Sequence, residues 1–240
     1  MNPKIKYLAA PLCLILLMTA ACKKDGIGSS GGGVSLPGSG GNSGGTTAAI
    51  TENDKPLDVM TKAMRAQLEA KSFRAHITSS AANGPNNKMV IEYVAPDRYR
   101  MVSEAQAGGA GKVPGQEFII IGKATFIKGP NGQWIKSPMD MGEMVKAFRD
   151  PKVLDELAKT ADIKYAGAET LDGAPMLIYE YTQNNPMGMN LKSTARTWLS
   201  VADGLPRKTE TAGEFNGVKT KTLITLSDYN TDIKIESPIK

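Results

Sequence analysis

Two hydrophobic periods take turns along this chain. From Leu57 to Leu68, apolar residues recur at helical spacing, with Leu57, Met60, Met64 and Leu68 on one stripe. Asn53-Asp54-Lys55-Pro56 just ahead offers a capping side chain and an early proline, so a helix is predicted up to Ala70. With a single apolar stripe, that helix needs a surface to lie on. The period then drops to two: Phe73, Ala75 and Ile77 face one way, and Arg74, His76 and Thr78 the other. Asn83-Gly84-Pro85-Asn86 turns the chain into a second alternating run carrying Met89, Ile91 and Tyr93.

Further strands are predicted over 98–104, 117–122 and 124–128, with a Gly-rich loop at Gly108 to Gly111 and a turn at Pro130-Asn131-Gly132 before Trp134. Between Asp140 and Ala161 the alternation stops. Met141, Met144, Val145 and Phe148, then Val153, Leu154 and Leu157 after Pro151, read as two short helices with apolar stripes. Strands resume over 163–168, 176–182, 191–200, 207–212, 218–227 and 233–237, separated by turns such as Leu171-Asp172-Gly173 and Asp203-Gly204-Leu205-Pro206. The result is about eleven short strands, one helix before them and a helical insert among them. That pattern predicts one α+β domain over residues 51–240, built on a large antiparallel sheet or barrel.

The first 50 residues have another grammar. Lys4 and Lys6 precede an apolar run from Tyr7 to Met18, then Thr19-Ala20-Ala21 and Cys22. This is a secretory signal, too short and wrongly flanked to span a membrane. Its end resembles the lipobox of bacterial lipoproteins, departing from it at Thr19, where leucine is commoner. The resemblance implies removal of residues 1–21, attachment of diacylglycerol to the Cys22 thiol and acylation of the new amino terminus, for example with palmitate. Cys13 leaves with the signal, so the mature chain can form no disulfide within itself and must be held by packing. From Gly26 to Thr47, ten of 22 residues are Gly and five are Ser, a composition that builds no core. Residues 22–50 are therefore expected to be a lipidated cysteine on a flexible tether, whose 27 residues from Lys23 to Ala49 reach roughly 25 to 30 Å. Lys23 after the cysteine favours the outer membrane, if the organism has one, by analogy with known sorting signals.

Charge and composition narrow the chemistry further. Lys4, Lys6, Lys23 and Lys24, less Asp25, account for three of the five net positive charges. What remains after residue 50 is an ordinary surface with no nucleic-acid footprint. The only histidine, His76, lies on the polar face of its strand without a nucleophile motif beside it, and no phosphate-binding or HExxH motif occurs. Asp228, Asn230 and Asp232 have calcium-loop spacing, but Ile233 stands where the loop needs Gly, so they read as a turn. No cofactor, no metal and no catalytic residue is expected. Ten methionines follow residue 50; they serve either as core filler or as an adaptable wall around a ligand. A Cu(I) site at Met139, Met141 and Met144 with Met187 and Met189 would lack an anchoring His or Cys.

The order of elements and several phrases resemble the LolA/LolB lipoprotein-carrier superfamily, and within it lipid-binding lipoproteins of the LppX/LprG type. The phrases are Ala95 to Met101, Ile120-Ile121-Gly122 leading to Phe126 and Gly132-Gln133-Trp134, Trp198 followed by Asp203 to Arg207, and Leu226 to Asn230 with Ile233 to Pro238. The resemblance implies an unclosed, strongly curved antiparallel half-barrel whose concave face is covered by helices, with an apolar cavity between them. It also implies a non-enzymatic carrier of a lipid or acylated ligand at the cell envelope. Polypeptide binding is the alternative, since the same fold occurs in periplasmic stress sensors, and other envelope proteins would then be its partners. The alternating pattern nominates Phe73, Ile77, Met89, Ile91 and Tyr93 for the cavity wall, joined by Met144 and Phe148 from the insert.

Overall fold

The computed structural model describes residues 49–82, 86–104, 106–108, 111–113, 115–147, 149, 162–184, 191–215 and 218–239. Helix α1 (Pro56–Glu69) leads into strands β1 (Ser72–Ala81), β2 (Asn87–Val94) and β3 (Arg98–Ser103). The Gly-rich stretch forms a separate hairpin, β4 (Gln106–Gly108) with β5 (Gly111–Val113). Then come β6 (Glu117–Ile121), β7 (Ala124–Lys128), β8 (Trp134–Ser137) and helix α2 (Gly142–Ala147). The second half is β9 (Asp162–Leu171), β10 (Ala174–Asn184), β11 (Leu191–Ser200), β12 (Pro206–Phe215) and β13 (Val218–Ser227).

Eleven strands form one antiparallel sheet in the order β8-β7-β6-β3-β2-β1-β13-β12-β11-β10-β9. Two edges remain, β8 and β9, so the sheet is an unclosed half-barrel. It consists of two meanders, β1 to β8 and β9 to β13, joined where β1 pairs with β13. Registers fix the faces, because partners in an antiparallel pair point the same way. Ala75 pairs with Ile91 and with Leu226, and Ile77 with Met89 and with Ile224. Thr209 opposes Ile224 and Thr197, and Thr197 opposes Tyr179, so one continuous face runs across the seam.

Both helices pack on this face. α1, which precedes the first meander, lays Val59, Met60 and Ala63 on Leu177, Tyr179 and Leu199 of the second. α2, which follows the first meander, returns to it and seats Val145, with Met141 beside it, among residues of β1, β2, β3 and β6. Gly142 opens α2 against the β6–β7 turn. A Cβ there would lie 2.0 Å from the Gly122 carbonyl oxygen, so only glycine permits the approach.

The opposite face carries a row of alternating charges. Glu92 pairs with Arg74 at 2.9 Å and with Arg100 at 3.4 Å, and Glu117 with Arg100 at 2.8 Å and with Lys128 at 2.9 Å. Arg74 also pairs with Asp228 beyond the end of β13. Apolar side chains fill two further places on this face. Ile233 and Ile235 of the final segment pack with Ile119, Phe126 and Trp134, and the Arg98 guanidinium donates to the Ile235 carbonyl at 2.6 Å. Met176, Ile178 and Trp198 form the other cluster, with Lys208 lying 4.2 Å over the indole.

Several local expectations are corrected. The final segment, 233–237, is not a strand. It crosses the sheet as an irregular strap, and the eleventh strand is β8 instead. Asp228 and Asn230 adopt left-handed backbone, Asp228 engages Arg74 and Asn230 accepts from the Lys71 amide, which turns the chain off the sheet. The residue preceding α1 is Lys55, whose ammonium has no acceptor with which to cap the helix amides, and the Asp54 carboxylate accepts from the Thr51 amide instead. The buried stripe of α1 is centred on Val59, Met60 and Ala63, leaving Leu57 exposed and Met64 and Leu68 half-buried. Small Ala63 lets the helix settle on the tyrosines beneath it. The second helix expected in the insert, and Phe148, lie outside the described residues.

Two consequences can be measured. Burial raises the pKa of the Glu117 carboxyl, but hydrogen bonds from Lys128 and Arg100, and their charges, outweigh it and hold the group below the usual carboxylate range. A depressed folded pKa contributes stability that is complete above the unfolded value, roughly 4.3, and is lost as pH falls through the folded one. Glu117→Gln should therefore lower stability by about 1 kcal/mol at pH 7, with partners this exposed, and the deficit should shrink towards pH 3 in denaturant titrations. A deficit independent of pH would mean that the charge row is not its source. Gly142→Ala should cost about 1 to 3 kcal/mol as α2 is pushed off the turn, and an unchanged denaturation midpoint would contradict the close approach.

Candidate functional site

The face shared by the two helices is where apolar side chains, aromatic rings and buried hydroxyls converge. Phe73, Ile77, Met89 and Tyr93 are buried in one cluster, with Ile91 and Met144 half-buried against it. Alternation along β1 and β2 places the first five side by side, and α2 brings Met144 over them. Six of the seven nominated residues thus meet on one wall, and the seventh, Phe148, lies outside the described residues.

An aromatic row crosses the wall. Tyr229, Phe73, Tyr93 and Tyr99 succeed one another with ring centroids 6.0, 5.2 and 5.0 Å apart, within the range of favourable tilted packing. The Arg149 guanidinium lies 3.9 Å over the Tyr93 ring and donates to the Leu68 carbonyl near the end of α1. α1 has no basic residue in its last turn, so Arg149 brings a cation to that end from the insert. Burial raises the pKa of Tyr93, Tyr99 and Tyr229, with nearby Arg149 or Arg207 opposing it. These phenols stay neutral at physiological pH, and the wall gains no negative charge from them.

Sequence reasoning missed the other half of the wall. Leu177, Tyr179 and Leu199 are buried under α1 with Ile50, and Ile163, Tyr165, Tyr181 and Val201 are half-buried around them. Leu177, Tyr179 and Tyr181 do alternate, but Met176 just before them and Ile178 between the first two are buried on the opposite face. Along β10 both sets are apolar, so the period of two that marks a one-sided strand is erased. Between the two apolar clusters runs a band of hydroxyls: Ser79, Thr222, Thr209, Thr197 and Ser193, all buried. Thr197 and Thr209 share a hydrogen bond of 3.1 Å. Burial pushes the Tyr179 phenol up to about 12, helped by neighbouring Tyr165 and the Asp54 charge.

Elsewhere the nominated chemistry disperses. His76 is exposed on the charged face, and Met139 is 65 % exposed while Met141 is buried. Met187 and Met189 lie outside the described residues, as do Cys22, the signal and the tether. Among the described residues no three His, Cys, Asp or Glu side chains gather to hold a metal, and no helix is long and apolar enough to cross a membrane. A groove of about 310 Å³ at the start of α1 is open and lined by Asp54, Lys55, Asp58 and Lys62, with Val59 and Thr61, which suits water better than an acyl chain.

No protein-family model matches the chain, and no curated protein matches it in sequence. Similarity appears in three dimensions. The lipoprotein LppX of Mycobacterium tuberculosis superposes with a TM-score of 0.54 at 13 % identity, over 75 % of this chain and 97 % of LppX. LprF of Mycobacterium bovis gives 0.54 at 10 % identity, over 77 % of this chain and 97 % of LprF. The LolA superfamily protein NE2245 of Nitrosomonas europaea superposes more loosely, at 0.31 and 11 % identity over 75 % and 94 % of the two chains. This chain has the unclosed antiparallel half-barrel fold seen in LppX and LprF.

Proposed function

We propose that the protein is a membrane-anchored lipoprotein of the cell envelope that binds a lipid or acylated ligand between the sheet and its two helices, and that it carries or holds that ligand without chemical change. One observation carries the reading: side chains from β1, β2, β3 and β6 form a single apolar wall, and α2 lies on it with the half-buried Met144 at the contact. Ile91, Phe118 and Ile224 on that wall are only partly buried, so an apolar guest has surface left to cover. Burying ten methylenes of such a guest contributes about 8 kcal/mol before ordering costs, enough for micromolar affinity. Methionines at 89, 101, 141 and 144 would let the wall repack around chains of different shape. The fold shared with LppX, itself a lipoprotein, supports the reading.

Anchoring rests on the signal and Cys22. Two or more acyl chains there would hold the domain durably, since a single chain binds a bilayer only marginally. Ile50, at the far end of the proposed tether, is buried with residues of α1 and β11, which supports a leash that enters the domain at that point. Residues 22–49 would then let the domain stand off the membrane and return to it.

Cys22→Ser should move the protein from the detergent phase to the aqueous phase on phase separation; retention in the detergent phase would place the anchor elsewhere. Protein purified from its native host should yield lipid on organic extraction. Ile91→Asp should weaken uptake of a fluorescent phospholipid by on the order of 100-fold, because a bound acyl chain would leave the carboxylate without water or partner. Circular dichroism must show native strand content in that variant. If the wild type carries no lipid and takes up none, polypeptide binding replaces the lipid reading.

A further inference from the structure

Tyr179 is the polar group on the wall whose position is hardest to explain by folding alone. Its side chain is wholly buried, and its hydroxyl meets no hydrogen-bond partner among the described residues. Leaving a buried hydroxyl unpaired is costly, and phenylalanine would fill the same space without that cost. Hydroxyls around it have partners: Tyr165 donates to Glu52 at 3.3 Å, and Thr197 shares a hydrogen bond with Thr209. Thr197 stands directly opposite Tyr179 on the same face, so the unpaired phenol borders the hydroxyl band at the point where the band meets the apolar cluster under α1. Tyr181, two residues along β10, and Ile163 opposite it are only half-buried, so the wall becomes accessible within one residue pair of Tyr179.

We propose that the Tyr179 hydroxyl donates a hydrogen bond to the carbonyl oxygen of an ester-linked acyl chain, and so selects acyl glycerol esters over ether-linked or plain hydrocarbon guests. The inference rests on the lipid-binding reading and adds a specificity-determining residue to it. A neutral carbonyl is the acceptor that fits. It costs little to desolvate among Val59, Met60, Leu177 and Leu199, whereas a fatty-acid carboxylate would be desolvated there and repelled by the nearby Asp54 charge. The phenol remains protonated, and thus a donor, throughout the physiological range.

The test uses the full-length chain and Tyr179→Phe. Each is loaded with a pyrene-labelled alkane, which is displaced by a dialkanoyl glycerol or by its ether-linked dialkyl analogue. Loading with the alkane reports the apolar site itself. The ratio of the two competitors reports the hydrogen bond. The wild type should bind the ester about three- to tenfold more tightly than the ether, and the variant should bind both like the wild type binds the ether. Equal ratios in the two proteins overturn the role of Tyr179 while leaving the lipid site standing; failure of both proteins to take up the alkane overturns both. Ligand-free Tyr179→Phe should melt no lower than the wild type, because it loses no bond. A clear drop in melting temperature would show that the hydroxyl already has a partner, and would also overturn the proposal.

Discussion

The pairing of β1 with β13 is the constraint on which the rest of this structure depends. Eight register pairs, from Arg74 with Ser227 to Ala81 with Thr220, join strands at opposite ends of the domain. Every other pairing in the main sheet links strands within one meander. Without the seam each meander would present an open strand at its inner edge, and the wall would be split at Ala75 and Ile77. Closing so long a loop is entropically costly, and local bonds reinforce it. The Asn230 side chain accepts from the Lys71 amide, the Asn230 amide donates to the Ser72 carbonyl, and the Ser72 hydroxyl donates to the Thr231 carbonyl. Arg74 bridges Glu92 on one side of the seam to Asp228 on the other.

Once the seam is made, strand alternation sorts the sequence into two surfaces with different jobs. Odd positions of β1 and β2 build the wall under α2, while Arg74 and Glu92 between them belong to the charged row. The row lies on the outer face, where water screens it, and Glu92 and Glu117, each only 13 % exposed, are each held by two cations. This leaves the wall nearly free of charge. Arg149 comes closest to it, stacked on Tyr93 and bonded to α1, so that the insert, the helix and the sheet meet at one cation.

How much of this the sequence disclosed depended on whether a strand buries one face or both. In β1 and β2 one face is apolar and the other charged, so Phe73, Ile77, Met89, Ile91 and Tyr93 could be identified from alternation alone. In β10 the run from Met176 to Tyr179 is buried on both faces, which hid Leu177 and Tyr179. Isoleucines at 233 and 235 alternate like a strand but pack as a strap against Ile119 and Phe126, Ile235 buried and Ile233 half-buried; apolar spacing reports packing, not hydrogen bonding. The short edge strand β8 was missed for the opposite reason, since Ile135 and Lys136 are both exposed and give no pattern. Which side of α1 would be buried depended on the shape of its partner, which the helix's own sequence does not contain.

The wall is also graded, and the grading follows from the seam. Reading across it from β2, Met89 and Ile77 lead to Ile224, then to Thr209 and Thr197, and then to Tyr179 and Tyr165. Along this row, aliphatic side chains of β2, β1 and β13 give way to hydroxyls on β12 and β11 and to phenols on β10 and β9, while a neighbouring row carries phenols at Tyr93 and Tyr99 in the first meander. The buried hydroxyls need partners that aliphatic side chains do not, and Thr197 and Thr209 supply one another. In a sheet closed into a barrel the two ends of the row would be brought together and the gradient would be lost. An open sheet keeps them apart, so this row holds its aliphatic end and its hydroxyl-bearing end at a fixed separation, as the proposed binding of a lipid requires.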